Sequence, residues 1–453
     1  MLTREPIRAR PDQEALFADL ARGPCRALLD SCLGTEQGRY SFVGDQPFLV
    51  MTARGRRVQL LDGEGTRELD ADPFDVLRDL LVRYRVPRPP GDDAPLAGAA
   101  IGYLGYELAR HVERLPQTTE DDLGLPDLAL MFFDRMVAVD HDRGRSDRLH
   151  VQVPGVPAGG RLALSVELPE AALPSREGSN MSRERYLAAV RAVKQYIEEG
   201  DIFQANLAQR FAVRLGVDPW ELYGHLRWEN PAPFAAYLDF GSFQVLSSSP
   251  ERFLRIDGRQ IETRPIKGTR ARVNEPGEDR LRARELARSP KDRAELAMIV
   301  DLERNDLGRV CEYGSVRVEQ AQTVESYAAV HHLVATVRGT LRQEADRVDL
   351  LRATFPGGSI TGAPKIRAME IIDELEPHVR GPYTGAIGYL GFDGRVDLNV
   401  AIRTLVHRDG WCSFHVGGGI VADSEPEAEY QETLDKARAM IAALRDAGCD
   451  VRP

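Results

Sequence analysis

TGAIGYLGF (384–392), LNVAIRTLVH (398–407) and WCSFHVGGGIV (411–421) follow one another toward the end of a 453-residue chain. Each is a short apolar run bounded by Gly, Asp or Arg-Asp-Gly turn signals, and each reads as a strand. Pro426 then opens a stretch at helical spacing that runs to about Leu444. Three strands delivering the chain into a helix make this region a mixed α/β fold in which sheet and helix share a core.

Moving outward, the same alternation recurs. A helix is predicted from near Pro364 through Ile371 and Leu375, and another from Ser289-Pro290, with serine at the N-cap, proline in the first turn and an apolar face of Leu296, Ile299 and Leu302. A further helix follows Ser182, carries Tyr186, Val190, Val193 and Ile197, and ends at Gly200. Strand-like runs lie at 202–213, 234–240, 243–248 and 252–256. Residues 1–165 are strand-rich, residues 166–180 read as a Pro, Gly and Ser-rich linker, and residues 181–446 form the denser region.

Composition excludes several classes. Apolar residues make up 43% and charged residues 28%, as in ordinary globular proteins. A formal net charge of -11 disfavours a nucleic-acid binder, although a locally cationic pocket for a small anion is compatible with it. Five scattered cysteines, none in a C-x-x-C pair, argue against a disulfide framework. No apolar stretch approaches membrane-spanning length, and MLTREPIRARPDQE carries no apolar signal run. The expectation is a reduced, cytoplasmic chain that binds neither nucleic acid nor membrane.

Several residues could carry chemistry. Asp292 and Glu295, and Glu429 and Glu432, are three apart on predicted helices, so each pair shares a face. Four carboxylates from two helices suit a hard cation, although a solvated helix face is the commoner reason for such spacing. Residues 355–362 (FPGGSITG) and His415–Gly419 are glycine-rich and let a backbone approach a ligand, or simply turn. Lys267 has Arg264, Arg270 and Arg272 nearby in sequence, and cationic neighbours favour a neutral, nucleophilic amine. Arg403 sits among Val400, Ala401, Ile402 and Leu405 and needs an anionic partner, from ligand or protein. His332 is open to proton handling or to simple packing.

The runs GDIFQANLAQRF, SSSPERFL, KDRAELAMIVDLERNDLGRV, PGGSITGAPKIRAMEIIDELEP and GGGIVADSEPEAEYQETLDKARA together resemble the chorismate-utilising enzymes. That group includes the component I proteins of anthranilate and aminodeoxychorismate synthases, and the isochorismate and salicylate synthases. The resemblance spans essentially the whole chain. Pro265-Ile266-Lys267-Gly268-Thr269 and PGGSITGAPK are similar to the aminodeoxychorismate type, whereas Gln204 stands where isochorismate and salicylate synthases place a water-activating lysine. Asp292 occupies a place that is often glutamate in anthranilate synthases.

The resemblance implies a two-layer sandwich of large, mainly antiparallel sheets with outer helices. It implies Mg²⁺ held by Glu295 and Glu432 with Asp292 and Glu429 in support, and a chorismate ring carboxylate at that metal and at the N–H groups of Gly417, Gly418 and Gly419. Arg403 and Tyr389 would hold the enolpyruvyl carboxylate, and Ser359, Thr361 and Lys436 would line the substrate pocket. Glu251 would be the general acid, Lys267 the nucleophile at C2, and His332 a proton-handling residue. The implied activity is C4 amination of chorismate by ammonia, for 4-aminobenzoate and folate synthesis; anthranilate synthase component I is the alternative. No cysteine stands in a nucleophile elbow with a downstream His-x-Glu, so a separate glutaminase subunit is expected as a heterodimer partner. Leu28-Leu29-Asp30-Ser31 matches an LLxS tryptophan-binding motif, which makes Leu29, Ser31 and Pro233 candidates for a tryptophan pocket.

Overall fold

The computed structural model describes residues 2–7, 17, 23–33, 36–88, 95–156, 165–327 and 330–451. Two sheets of 12 strands each form the body. Their ladders run antiparallel. Ala27, Phe42, Leu238 and Val245 of the first sheet share one buried cluster with Val50, Ile101, Met131 and Ile387 of the second. The sheets therefore pack as two layers around a common core, as the resemblance implied. The Ala99–Leu104 strand shows why so many strands lack alternation. Ala99, Ile101 and Tyr103 face the inter-sheet core, while Ala100 and Leu104 face the helices outside.

Each sheet draws strands from both halves of the chain. In the first, Arg26–Asp30 pairs with Phe234–Asp239, Leu28 opposite Tyr237. In the second, Ala99–Leu104 pairs with Ala386–Gly391, Tyr103 opposite Ile387. The boundary near 166–180 thus crosses both sheets.

Helices cover the outer faces, and their caps follow from sequence. Arg183–Glu198 starts where the Ser182 hydroxyl accepts the Arg185 N–H at 3.2 Å. Pro290–Gly308 starts where Ser289 accepts the Asp292 N–H at 3.3 Å. Lys365–Leu375 and Pro426–Asp446 occupy the other two predicted stretches. Ala437, Met440, Ile441 and Leu444 of the last helix pack with Phe414 and Val416 of the first sheet. Among the described residues no helix is long and apolar enough to cross a membrane.

One predicted strand is two. The run 398–407 divides into Val396–Val400 of the second sheet and Thr404–Arg408 of the first. The chain changes layer between them, with Arg403 in the left-handed region at φ 51°. Continuous apolarity hid this corner, because residues buried in either sheet look alike in sequence.

Candidate active site

The candidate residues around the corner at Arg403 come from the Gln204–Arg214 and Trp411–Ile420 strands, the turn around Gly358–Ile360, the Ile266–Ala271 strand, and the N-terminal parts of the Pro290–Gly308 and Pro426–Asp446 helices. Lys267 is half-buried here, and its ammonium donates to the Ser359 carbonyl at 3.2 Å. Loss of hydration lowers its pKa, Lys436 pushes the same way, and Glu295, Glu251 and Glu432 oppose. The three arginines near it in sequence are not the cause. Arg264 is paired with Glu325, Arg270 with Asp292 at 3.0 Å, and Arg272 with Asp279 at 3.0 Å. A bulge at Gly268 (φ 77°) turns this strand, and a Cβ there would lie 2.7 Å from the Asp292 carboxyl.

Glu251 is 5% exposed, and one of its oxygens accepts the Ile266 N–H at 3.4 Å. Burial raises its pKa, while the Ser359 hydroxyl and Lys267 act against that rise. A carboxyl held toward its protonated form beside an amine held toward its neutral form is the arrangement an acid and a nucleophile need.

His332 accepts from or donates to the Thr269 hydroxyl through Nδ1 at 2.9 Å, while its Nε2 is buried without a partner. Burial, reinforced by the charge of Arg403, pushes its pKa down to about 3, so the ring is neutral at ordinary pH. Arg403 donates to the Asn230 side-chain oxygen at 2.9 Å, and among the described residues no carboxylate is within ion-pair distance of it. Desolvation alone lowers its pKa. Gln204, which is completely buried, leaves both atoms of its side-chain amide without partners. Buried polar groups are otherwise satisfied in folded proteins. These three side chains therefore point to a polar ligand. Gln204 carried a signal in sequence only through the resemblance.

The carboxylates divide. Glu432 lies 2.8 Å from the Lys436 ammonium, which also donates to the Gly417 carbonyl at 2.8 Å. Glu429 accepts the Ser424 hydroxyl at 2.6 Å. A Cβ on Gly418 would stand 3.3 Å from Glu432 Oε1 and 3.4 Å from Glu429 Oε2, so both acids converge on that glycine. Glu295, on the facing helix, has its pKa raised by burial and further by Asp292 and Glu432. Among the described residues no three potential ligands stand close enough to hold a metal ion. The donor chemistry nevertheless fits a hard divalent cation, since mutually repelling carboxylates converge from two helices. One oxygen of Asp292 accepts Arg270 at 3.0 Å, and its charge acts on Glu295 as well.

Three other expectations change. The Asn206 and Ala208 N–H groups bond to Thr361 O and Glu376 Oε1, away from the neighbouring Trp411–Ile420 strand. Their partners Gly419 and Gly417 accordingly keep their N–H groups out of the ladder, whereas Gly418, opposite Leu207, spends its N–H in it. Gly418 contributes space rather than a donor. The Thr361 hydroxyl donates to the Gly357 carbonyl at 3.0 Å and ties the turn, while Ser359 meets Lys267 and Asn206 through its carbonyl.

Tyr389 is in neither group. It lines a separate cavity of about 520 Å³ with Leu29, Ser31 and Pro233, and its ring centroid is 5.7 Å from that of Phe42. Arg403 is not among the residues of that cavity. Strand alternation decides this, because Ile387 and Tyr389 share a face toward the inter-sheet core.

The comparisons agree with this architecture. The family described as chorismate binding enzyme matches residues 30–442. Aminodeoxychorismate synthase component 1 of Klebsiella aerogenes is 44% identical over 442 residues, covering 96% of this chain and 97% of that protein. Anthranilate synthase component 1 of Thermus thermophilus is 42% identical, covering 97% and 99%. The crystal structure of anthranilate synthase component I from Streptococcus pneumoniae superimposes with a TM-score of 0.76 at 32% identity, covering 89% of this chain and 92% of that one.

Proposed function

We propose, from the premise that the chain belongs to the chorismate-binding enzymes, that it aminates chorismate at C4 to give 4-amino-4-deoxychorismate. The observation that carries the reading is the half-buried amine of Lys267, lowered in pKa and set beside Glu251, whose pKa burial raises.

In this reading the neutral Lys267 amine adds at C2, the ring double bonds shift, and the C4–O bond breaks. Glu251 gives its proton to the departing hydroxyl, which leaves as water. Ammonia then adds at C4, the double bonds return, and the C2–N bond to Lys267 breaks, restoring the amine. Arg403 offers an uncompensated charge to the enolpyruvyl carboxylate, and Gln204 and the neutral His332 offer unspent hydrogen-bonding atoms. Gly417 and Gly419 present free N–H groups. Glu295 and Glu432 would hold Mg²⁺ with Glu429 in support. When bound, the ion would neutralise and polarise the ring carboxylate. A separate glutaminase subunit would supply ammonia, consistent with the relatives' designation as component 1. Tryptophan in the Leu29–Ser31–Pro233 cavity and service to folate synthesis in the cytoplasm belong to the same proposal.

The second reading is anthranilate synthesis, favoured by the 42% identity to the Thermus thermophilus protein. Incubation of the chain with chorismate, Mg²⁺ and ammonium, followed by mass spectrometry, separates the two. Chorismate with its hydroxyl replaced by an amine supports C4 amination. Anthranilate with pyruvate overturns it and leaves Lys267 without a chemical role.

A further inference from the structure

Asn230, at the C-terminal end of the Pro219–Glu229 helix, has no part in the chemistry proposed so far. Its side-chain oxygen accepts Arg403 Nη1 at 2.9 Å, and its side-chain nitrogen donates to the Ser248 carbonyl at 3.0 Å. A carbonyl only accepts and a guanidinium only donates, so chemistry fixes which end of the amide faces which group. The main chains are tied together as well. The Ser248 hydroxyl donates to the Asn230 carbonyl, and the Ser248 N–H donates to the Arg403 carbonyl at 3.1 Å. Ser248 belongs to the Phe243–Ser249 strand, which pairs with Thr404–Arg408 directly after the corner. The left-handed backbone of Arg403 and one nitrogen of its side chain are thus held by the same two residues.

The choice of an amide has an electrostatic consequence. A guanidinium presents a rigid planar fork of N–H donors, and Asn230 takes one of them. Among the described residues the others have no partner. A carboxylate in the same place would keep that hydrogen bond but neutralise the charge. It would also turn an acceptor toward the Ser248 carbonyl, where a donor is needed. The amide orients the arginine without spending its charge. We propose that Asn230 is a positioning residue for substrate binding: it holds Arg403 so that the remaining donors of the guanidinium meet the enolpyruvyl carboxylate with the full charge behind them. The inference deepens the reading of Arg403 given above and rests on it.

The test measures initial rates of chorismate consumption with Mg²⁺ and saturating ammonium. Asn230→Asp keeps the size of the side chain and is expected to raise the KM for chorismate by about 10–100-fold, the scale of one charge-assisted contact. Its kcat should stay within about threefold, because the lost interaction is made alike in the ground and transition states. Asn230→Ala leaves Arg403 charged but unheld, and should raise KM by a smaller factor, about three- to tenfold. A purely structural residue would show the reverse order, since alanine removes both side-chain hydrogen bonds whereas aspartate keeps the one to Arg403. In an Arg403→Met background, Asn230→Asp should change KM by less than about twofold, because the charge it neutralises is gone. The proposal is overturned if Asn230→Asp leaves KM within about twofold of wild type, if Asn230→Ala raises KM more than Asn230→Asp does, or if the Asn230→Asp effect persists in full beside Arg403→Met. Should Asn230→Ala fail to fold, the aspartate variant and the double variant still decide. An unchanged KM in Arg403→Met alone would defeat the reading of Arg403 and this inference with it. A raised KM there, with Asn230→Asp unaffected, defeats this inference alone. Because consumption is followed rather than a particular product, formation of anthranilate would defeat the C4 reading while these KM values remained interpretable.

Discussion

Two arginines, the buried Arg380 and the half-buried Arg403, show what separates scaffold from site. Arg380 makes a two-point ion pair with Glu376 at 2.5 and 2.9 Å and spends its remaining donors on Asn206 O, Ile360 O and Thr384 Oγ1. Arg403 has one amide oxygen and meets no carboxylate among the described residues. The Arg380 guanidinium itself is thus fully paired, although Tyr106 Oη and His415 Nε2 near it are unspent. The Arg403 charge is unpaired, and His332 Nε2, on a ring that feels that charge, is unspent as well. A folded interior tolerates such atoms where a ligand completes them. The pairing of each arginine's own charge therefore distinguishes the two more sharply than cavity size does. A cavity of about 660 Å³ beside Glu107 and Arg380 contains none of the residues to which chemistry is assigned here.

The comparison can be broken at either end. The largest expected effects lie in the open region. Glu251→Gln should lower kcat by about 10²–10⁴-fold, the usual scale for losing a general acid. Lys267→Ala should do at least as much, and steady-state rates with intact-mass analysis for the adduct check both. Next is the fully paired Arg380. Arg380→Met should destabilise the fold by about 3–5 kcal/mol, because Glu376 is then buried without its cation, as read by urea denaturation. Arg403→Met should behave in the opposite way. Removing an uncompensated half-buried charge should raise Tm, while chorismate binding weakens by about 10–100-fold through loss of a charge-assisted contact. If Arg403→Met and Arg380→Met lose stability alike, the distinction between the two regions fails.

The smallest effect is a pH slope. His332 is depressed to about 3 in the folded chain, against an ordinary value of 6.5. Between these values the unfolded chain binds the extra proton, so stability falls as pH drops below 6.5, by at most about 1.4 kcal/mol per pH unit. Above pH 6.5 the term is constant. Thermal melts of wild type and His332→Gln between pH 4 and 7 should converge toward low pH if the ring is the source.

Much of this was legible in sequence where local chemistry decides structure. Ser182 and Ser289 announced their helices because an N-cap acts over three residues. The Pro219–Glu229 helix escaped notice although Asp218 caps it at 2.8 Å, and so did the Arg317–Ser326 and Val330–Thr340 hairpin. The site was legible as a set of residues through motif resemblance, but not as geometry. Arg270 bonds one oxygen of Asp292, Lys436 replaced the nearby arginines as the cation acting on Lys267, and strand parity withdrew Gly418 and moved Tyr389 to another cavity. Each depends on which residue lies across a sheet or between helices, and nothing in linear spacing specifies that.

The interleaving of the two halves in both sheets sets an order of events during synthesis. The Arg26–Asp30 strand gains its second neighbour only after residue 239 has been made, and Ala99–Leu104 only after residue 391. Until then the nascent chain carries two unfinished strand edges with apolar faces, the kind of surface that recruits wrong partners. Neither half can be released as a finished body, so the molecule matures late, when its last strands leave the ribosome and complete both layers.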